Sequence, residues 1–539
     1  MRINRLWIDE FKNLSNFEIT FNDALTTIVI GGNGTGKSNL LEAIAIIFRD
    51  LDLQNRQIPF EYFLVYECRG HNIEIDANPK QNRSVYQNQL ALIDGFASKK
   101  KRRPGYLNIS VDKQEVTISH FFEHKEEFLP NHVFGYYSGP TNRLAKHFDQ
   151  HQKKFYDEQR KGEKRPLRPL FFALPIHSLF VLLAYFSFPD EVGTRFLQDY
   201  FGIVDLESVL FELKEPDWKT ADYPAHPFWG ASGIPYQFLN DLYTAALAPL
   251  REEVTVPVRT GKNVTEEHLY LYIKDANTVI RVAQARGSNQ EFFKDMDTLY
   301  IARLIDDLRV RVRRVGLDGN ITFTELSEGE QQLLTVLGLL KFTKDSETLF
   351  LLDEPDTHLN PAWKYEYLRL IEPIVGDDTQ CQILLITHDP IVMASCVKEQ
   401  VRVMYCQDKA DGIVAWFQPE QDPRGMGIGG LLTSKMWGLE SQLDWITQQK
   451  IDEKRRLVIK DKQGKLTDEE REQLQKLSEE LENLGFNYTF RDPLYTAFLE
   501  EMAKQDQSLV TEQADLTEEQ KEKQAKVVEE LVAKLKSQP

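Results

Sequence analysis

The sequence predicts an α/β fold whose two halves lie far apart in the chain. A large, mostly helical insertion with some strands separates them, and a helical region follows at the C-terminal end. Three observations carry this reading. A short β-branched run at residues 24–30 leads into a glycine-rich turn and then into an apolar helical pattern at 39–48. Two more buried-strand patterns, at 348–355 and 381–389, come only in the distant second half and end on Asp353-Glu354 and on His388. The stretch between is interrupted by Pro216, Pro224, Pro227 and Pro235.

Taken in order, residues 3–8 and 17–21 alternate apolar and polar, as half-buried strands do, with Phe11-Lys12-Asn13-Leu14 between them. Gly31-Gly32-Asn33-Gly34-Thr35-Gly36-Lys37-Ser38, followed by Asn39, fits G-x-x-x-x-G-K-[ST]. In a strand–loop–helix context its glycines turn backbone N–H groups onto phosphates, and the helix N-terminus adds its positive end. Lys37 would reach the β- and γ-phosphates of a nucleotide, and the Ser38 hydroxyl would sit on Mg²⁺. Further strands are expected at 106–111, 115–121 and 132–137, helices over 170–250, strands at 267–274 and 278–283, and one long helix over 290–314.

In the second half, Leu326-Ser327-Glu328-Gly329-Glu330-Gln331-Gln332 opens a helix and makes another anion site. Residues 348–354 end in Asp353, which can hold Mg²⁺ through water, and Glu354, which can take a proton from an attacking water. Asp356 follows in a loop with His358, and His388 closes the next strand, where it can hydrogen-bond a γ-phosphate.

The chain has 539 residues, a formal net charge of −18, 42% hydrophobic and 11% aromatic residues. That allows a sizeable core and argues against an indiscriminate nucleic-acid coat. Two basic stretches are candidates for nucleic-acid contact. One is Lys99-Lys100-Lys101-Arg102-Arg103; the other runs through Lys146, Lys153, Lys154, Arg160, Lys161, Lys164, Arg165 and Arg168. Cys68, Cys381, Cys396 and Cys406 lack C-x-x-C spacing, which fits free thiols in a reducing cytoplasm. The first residues lack the apolar core of a signal peptide. Residues 169–189 are apolar but broken by Pro175, leaving about half of the ~20 residues that span a bilayer. A buried helix or subunit interface is expected there, and no membrane insertion.

Leu326–Gln331 matches the L-S-x-G-[EQ]-Q signature of ABC-type ATPases. With the motifs around it, the chain resembles the SMC, RecF and OLD group of these ATPases over residues 1–50 and 320–420. Phe11-Lys12-Asn13 is similar to that group's early basic-Asn motif beside the nucleotide. The resemblance implies an ABC-type, SMC/RecF-like P-loop head that binds and hydrolyses ATP with Mg²⁺. Heads would dimerise or assemble further, with Lys37 of one copy and Ser327, Glu328, Gly329 and Gln331 of the other at each site, and Asp356 in the D-loop. The expected divisions are 1–150, 151–319, 320–420 and a partner-docking 421–539.

There is no long coiled coil and no Toprim-like acidic pattern, and His388 is the last histidine, so no His-dependent nuclease is expected beyond it. The C-terminal region carries Lys454-Arg455-Arg456, a capping box from Thr467 to Glu470, then Leu474, Leu477, Leu481 and Leu484, with Gly485 ending the helix. With the head, it resembles the PtuA family, the ATPase subunits of Septu-type anti-phage defence, also found attached to retrons. That implies a separate HNH nuclease partner (PtuB-like) and, in retron-linked versions, a reverse transcriptase with its multicopy single-stranded DNA. The same ATPase motifs would serve a stand-alone RecF-like repair ATPase or an ATP-bound scaffold with little turnover.

Overall fold

The computed structural model describes residues 1–21, 25–55, 57–77, 107–161, 167–218, 227–257, 263–315, 320–322, 326–343, 347–375, 380–408 and 413–484. It divides into two compact units, Met1–Gln421 and Asp422–Pro539.

The first unit is built on a seven-stranded sheet in the order Ile413–Phe417, Val401–Asp408, Thr26–Gly31, Cys381–Ile386, Thr348–Asp353, His132–Tyr137, Leu170–Phe172. All neighbours are parallel except the first pair. The inner strands are buried along nearly their whole length and mostly apolar, because helices and a second sheet cover both faces. In register, Asp353 lies beside Ile386 and Tyr137, and Ile386 beside Val29. Gly31, Asp353, Ile386 and Tyr137 therefore end at one edge, the carboxyl edge where open α/β sheets place their ligands.

The helix after the glycine loop, Lys37–Asp52, is buried on nearly every side. Its neighbour is an antiparallel sheet ordered Phe17–Thr20, Arg2–Asp9, Glu61–Cys68, His71–Ala77, Leu107–Val111, Gln114–Val116. Leu40, Leu41, Ile44 and Phe48 join Ile3, Leu6, Ile8, Leu64 and Ile75 of that sheet, and Leu351 and Leu384 of the parallel one, in one core.

A third, antiparallel sheet is ordered Leu250–Pro257, Asn263–Ile273, Ile203–Lys214, Ile305–Arg314, Asn320–Thr322. It revises several expectations. The segment 290–314 is not one helix: Asn289–Ile301 is helical, and Ile305–Arg314 is a strand. Leu308, Val310 and Val312 are buried while Arg309, Arg311 and Arg313 alternate with them outside, a period of two that a helix cannot carry. Residues 278–283, expected as a strand, lie in the helix Ala276–Gln284. The Asp275 side chain caps it by accepting from Thr278 N at 2.9 Å, and Val279 and Ala283 share its buried face. The expected strand 115–121 stops at Val116, because Thr117 caps the helix Ile118–Glu123. The expected helical run 170–250 contains the long strand Ile203–Lys214.

His177–Ser187 is a buried helix, and no helix among the described residues is long and apolar enough to cross a membrane. Its first residue, His177, accepts from Leu174 N through Nδ1 at 2.9 Å and donates through Nε2 to Asp297 at 3.2 Å. Arg168 pairs with the other Asp297 oxygen and lies over the Phe171 ring at 4.2 Å. Arg168 is thus 5% exposed and structural, which removes it from the basic stretch. The four cysteines are free thiols.

In the second unit, Trp445–Lys462 and Asp468–Asn483 form a helical hairpin. Thr467 and Glu470 cap the second helix reciprocally, at 3.3 and 3.2 Å. Gly485 lies outside the described residues.

Candidate nucleotide site

Two glycines of the loop have no room for a side chain. A Cβ on Gly31 would stand 2.0 Å from Met404 O, and one on Gly36 2.7 Å from Asn13 Oδ1. Gly36 has φ of 91°, a left-handed conformation that suits glycine, and it precedes the helix directly. Thr35 closes the turn by donating from Oγ1 to Gly32 O at 2.9 Å. Lys37 Nζ donates to Gly31 O at 2.7 Å and Gly32 O at 3.0 Å, inside the loop it is expected to serve. Burial holds its pKa below the usual lysine value, against the pull of Glu354 and Asp353.

The early turn docks on this loop. Phe11 and Leu14 exchange backbone bonds of 3.1 and 2.9 Å, and Lys12 has φ of 55°. Asn13 donates to Gly34 O at 2.9 Å and accepts from Asn39 Nδ2 at 2.6 Å. Lys12 pairs with Glu42 and lies 3.5 Å from Asn39 Oδ1. The structure records Asn33 only as an exposed loop residue.

Sequence reasoning missed the hub of this region. Glu42 is 2% exposed, yet Lys12, Arg143, Lys146 and His147 all surround it. His147 Nε2 meets Glu42 Oε1 at 2.9 Å, and Arg143 meets Oε2 at 3.4 Å. Burial works against the charge, but hydrogen bonds from His147 and Lys12 outweigh it and hold the carboxyl at about 2. The signal was present as one glutamate in an otherwise apolar helix. Its partners, Lys12 upstream and Arg143, Lys146 and His147 about a hundred residues downstream, could not be read from it.

Opposite, Asp353 ends its strand 2% exposed and hydrogen-bonded to Ser38. Burial and the neighbouring Glu354 charge push its carboxyl up to about 6, against the Ser38 bond, Arg143 and Lys37. A hydroxyl beside a buried carboxylate is an oxygen donor set that suits Mg²⁺. Glu354 has φ of 54°, its N donates to Ile386 O at 2.9 Å, and its Oε1 lies 3.0 Å from His388 Nδ1. Asp356 is buried and accepts from Thr387 Oγ1 at 2.9 Å, and burial pushes its carboxyl up to about 6. Thr387 and Gln332 went unread in the sequence. Gln332 donates to Glu354 O at 3.3 Å and accepts from His358 N at 3.2 Å, tying the signature helix to the carboxylate loop.

Ser327 begins the helix Glu328–Thr343, and its hydroxyl donates to Glu330 Oε2 at 2.9 Å. Gln331 donates to Leu326 O at 3.0 Å, and Glu328 pairs with His358 at 3.2 Å. Gly329 packs against backbone, with its Cβ position 2.4 Å from His358 O. Within one chain the Ser327 hydroxyl therefore faces Glu330 and not the glycine loop.

Of the proposed nucleic-acid residues, Lys153 and Lys154 are exposed on the helix Asp149–Arg160. Lys99, Lys100, Lys101, Arg102, Arg103, Lys164 and Arg165 lie outside the described residues. Arg160 lies over Trp218 at 5.6 Å, and Lys146 is 3.6 Å from Glu42.

Comparison with known proteins finds similarity to ATPases. The model described as AAA ATPase domain matches residues 1–164. A second, described as AAA domain, putative AbiEii toxin, Type IV TA system, matches 257–394. The retron Vc95 probable ATPase of Vibrio cholerae serotype O1 biovar El Tor is 20% identical over 456 residues, covering 80% of this chain and 78% of that protein. Septu protein PtuA of Bacillus mycoides (strain KBAB4) is 30% identical over 95 residues, 18% of this chain and 13% of its own. A solved Smc head bound to the C-terminal winged-helix domain of ScpA overlaps 78% of this chain at 13% identity and a TM-score of 0.33, too loose a likeness to carry an argument.

Replacing Glu42 by Gln should lower the unfolding midpoint at neutral pH, a loss of ~1–3 kcal/mol. Because the Glu42 pKa falls from 4.5 to about 2 on folding, its contribution is complete above pH 4.5 and lost as pH falls towards about 2. Thermal melts of both proteins across that range should show the gap close on acidification. By motif order, site geometry and these relatives, the chain is an ATPase with a P-loop α/β fold, similar to ATPases named for retron and Septu systems.

Proposed function

We propose that this chain is the ATP-hydrolysing regulatory subunit of an anti-phage defence complex that controls a separate HNH nuclease. In a retron-linked setting, a reverse transcriptase and its multicopy single-stranded DNA would join it. The relatives support the defence setting. The carrying observation for the chemistry is the Glu354–His388 pair, 3.0 Å apart at the sheet edge where Lys37 and Ser38 begin their helix.

Two heads close around two ATP molecules, each site taking Lys37 from one copy and Ser327 from the other. Lys37 and the loop N–H groups bind the β- and γ-phosphates. Ser38 and Asp353 would hold Mg²⁺, which supplies positive charge against the phosphate oxygens. Glu354 accepts the proton of the attacking water as its oxygen bonds to the γ-phosphorus. The bond from γ-phosphorus to the bridging oxygen breaks, and ADP leaves with that oxygen. His388 orients Glu354 and meets the γ-phosphate. ATP holds the closed assembly, and turnover releases the nuclease.

Glu354→Gln should bind ATP, lower turnover by ~10²-fold or more, and retain nucleotide through gel filtration. Unchanged hydrolysis would remove Glu354 as the base. Purification of the tagged protein from its native operon, without nuclease treatment, tests the partners. A co-purifying small HNH protein is expected. A clean protein whose hydrolysis is stimulated by DNA would point instead to a repair ATPase.

A further inference from the structure

The segment from Ser138 to His147 arches over the first turn of the helix Lys37–Asp52. It is pinned at both ends. Ser138 N donates to Asp353 O at 3.3 Å, and His147 Nε2 meets Glu42 Oε1 at 2.9 Å. Between these pins, Arg143 reaches Asn39 Oδ1, the residue after Ser38, and lies 3.4 Å from Glu42 Oε2. Its positive charge is felt at Asp353, which is itself hydrogen-bonded to Ser38. The guanidinium thus lies beside the first turn of the helix Lys37–Asp52 and within electrostatic reach of Asp353.

Two features separate Arg143 from a structural counter-ion. First, Glu42 does not need it, because Lys12 and His147 already hydrogen-bond the carboxylate and Lys146 stands 3.6 Å away. Second, both Arg143 bonds leave from Nη2, so among the described residues Nε and Nη1 make none, and the side chain is 34% exposed. A planar fork with donors unspent beside a phosphate site suits bidentate contact with phosphate oxygens.

We propose that Arg143 is a catalytic residue of this ATPase, an arginine supplied from the same chain to the phosphates of ATP, and that Glu42 and Asn39 are the positioning residues that aim it. This rests on the ATP-hydrolysis reading above. As the bond to the bridging oxygen breaks, negative charge grows on that oxygen and on the departing ADP, and the Arg143 fork meets it. The charge is greater in the transition state than in bound ATP, so the effect falls on kcat more than on KM.

The test is steady-state ATP hydrolysis by wild type, Arg143→Ala, Arg143→Lys and the double variant Glu42→Gln/Arg143→Ala, with a thermal melt of each. Arg143→Ala should lose ~10²–10³-fold in kcat with KM changed less than about threefold. Arg143→Lys, with the charge but not the fork, should stay at least about tenfold down. Added guanidinium should restore part of the Arg143→Ala rate, which a merely misfolded variant would not allow. The double variant should stay as slow as Arg143→Ala. Recovery in the double variant, or full activity of Arg143→Lys, would make Arg143 a counter-ion of Glu42 and overturn the assignment. Wild-type turnover and ATP retention by Glu354→Gln keep the two readings apart. If both are present and Arg143→Ala is unimpaired, only the Arg143 assignment falls. If both are absent, the ATP-hydrolysis reading falls and takes it along.

Discussion

Parallel pairing of Thr26–Gly31, Cys381–Ile386 and Thr348–Asp353 is the constraint on which the site depends. The first of these strands is hundreds of residues from the other two, yet their register is set by apolar side chains buried on both faces. A slip of one residue would turn every buried side chain to the opposite face. The same register carries the glycine loop, Asp353, Glu354 and His388 to one edge. Core packing and site assembly are therefore one event.

Burial raises both carboxylates that flank the phosphate loop, but their neighbours give them opposite outcomes. Asp353 has few close cations, so burial and the Glu354 charge push it up to about 6 and leave it ready for a divalent cation. Glu42 is as buried, but Lys12, Arg143, Lys146 and His147 crowd it, and it is held at about 2. One is a charge that needs a partner. The other is a satisfied anchor for the segments that enclose the loop. The signature helix is tied into the same network, because Gln332 holds both Glu354 O and His358 N.

The sheet strands and the glycine loop were legible because their signals are local: an apolar run, a glycine spacing, a carboxylate at a strand end. Asp353, Glu354 and His388 were found that way, and the structure brings them together. Glu42 and Arg143 were not legible, since their meaning lies in a contact between residues 42 and 143 that no spacing encodes. The misread segments failed for physical reasons too. Thr278–Val279–Ile280 is β-branched and reads as strand, but the Asp275 cap and the buried face of Val279 and Ala283 make it helix. Arg309, Arg311 and Arg313 suggested a charged helix end, whereas Leu308, Val310 and Val312 between them have the alternation of a strand.

The central claim is that one ATP site is assembled from two copies of this chain. Mixing two inactive variants tests it most directly. Lys37→Ala lacks the phosphate-binding lysine, and Ser327→Arg blocks the signature helix. A mixed dimer has one site with Lys37 from one copy and Ser327 from the other, both intact. Re-equilibrated together, the two variants should recover about a quarter of the wild-type rate, since about half of the dimers are mixed and each has one working site. A mixture as inactive as either variant alone would contradict the shared site.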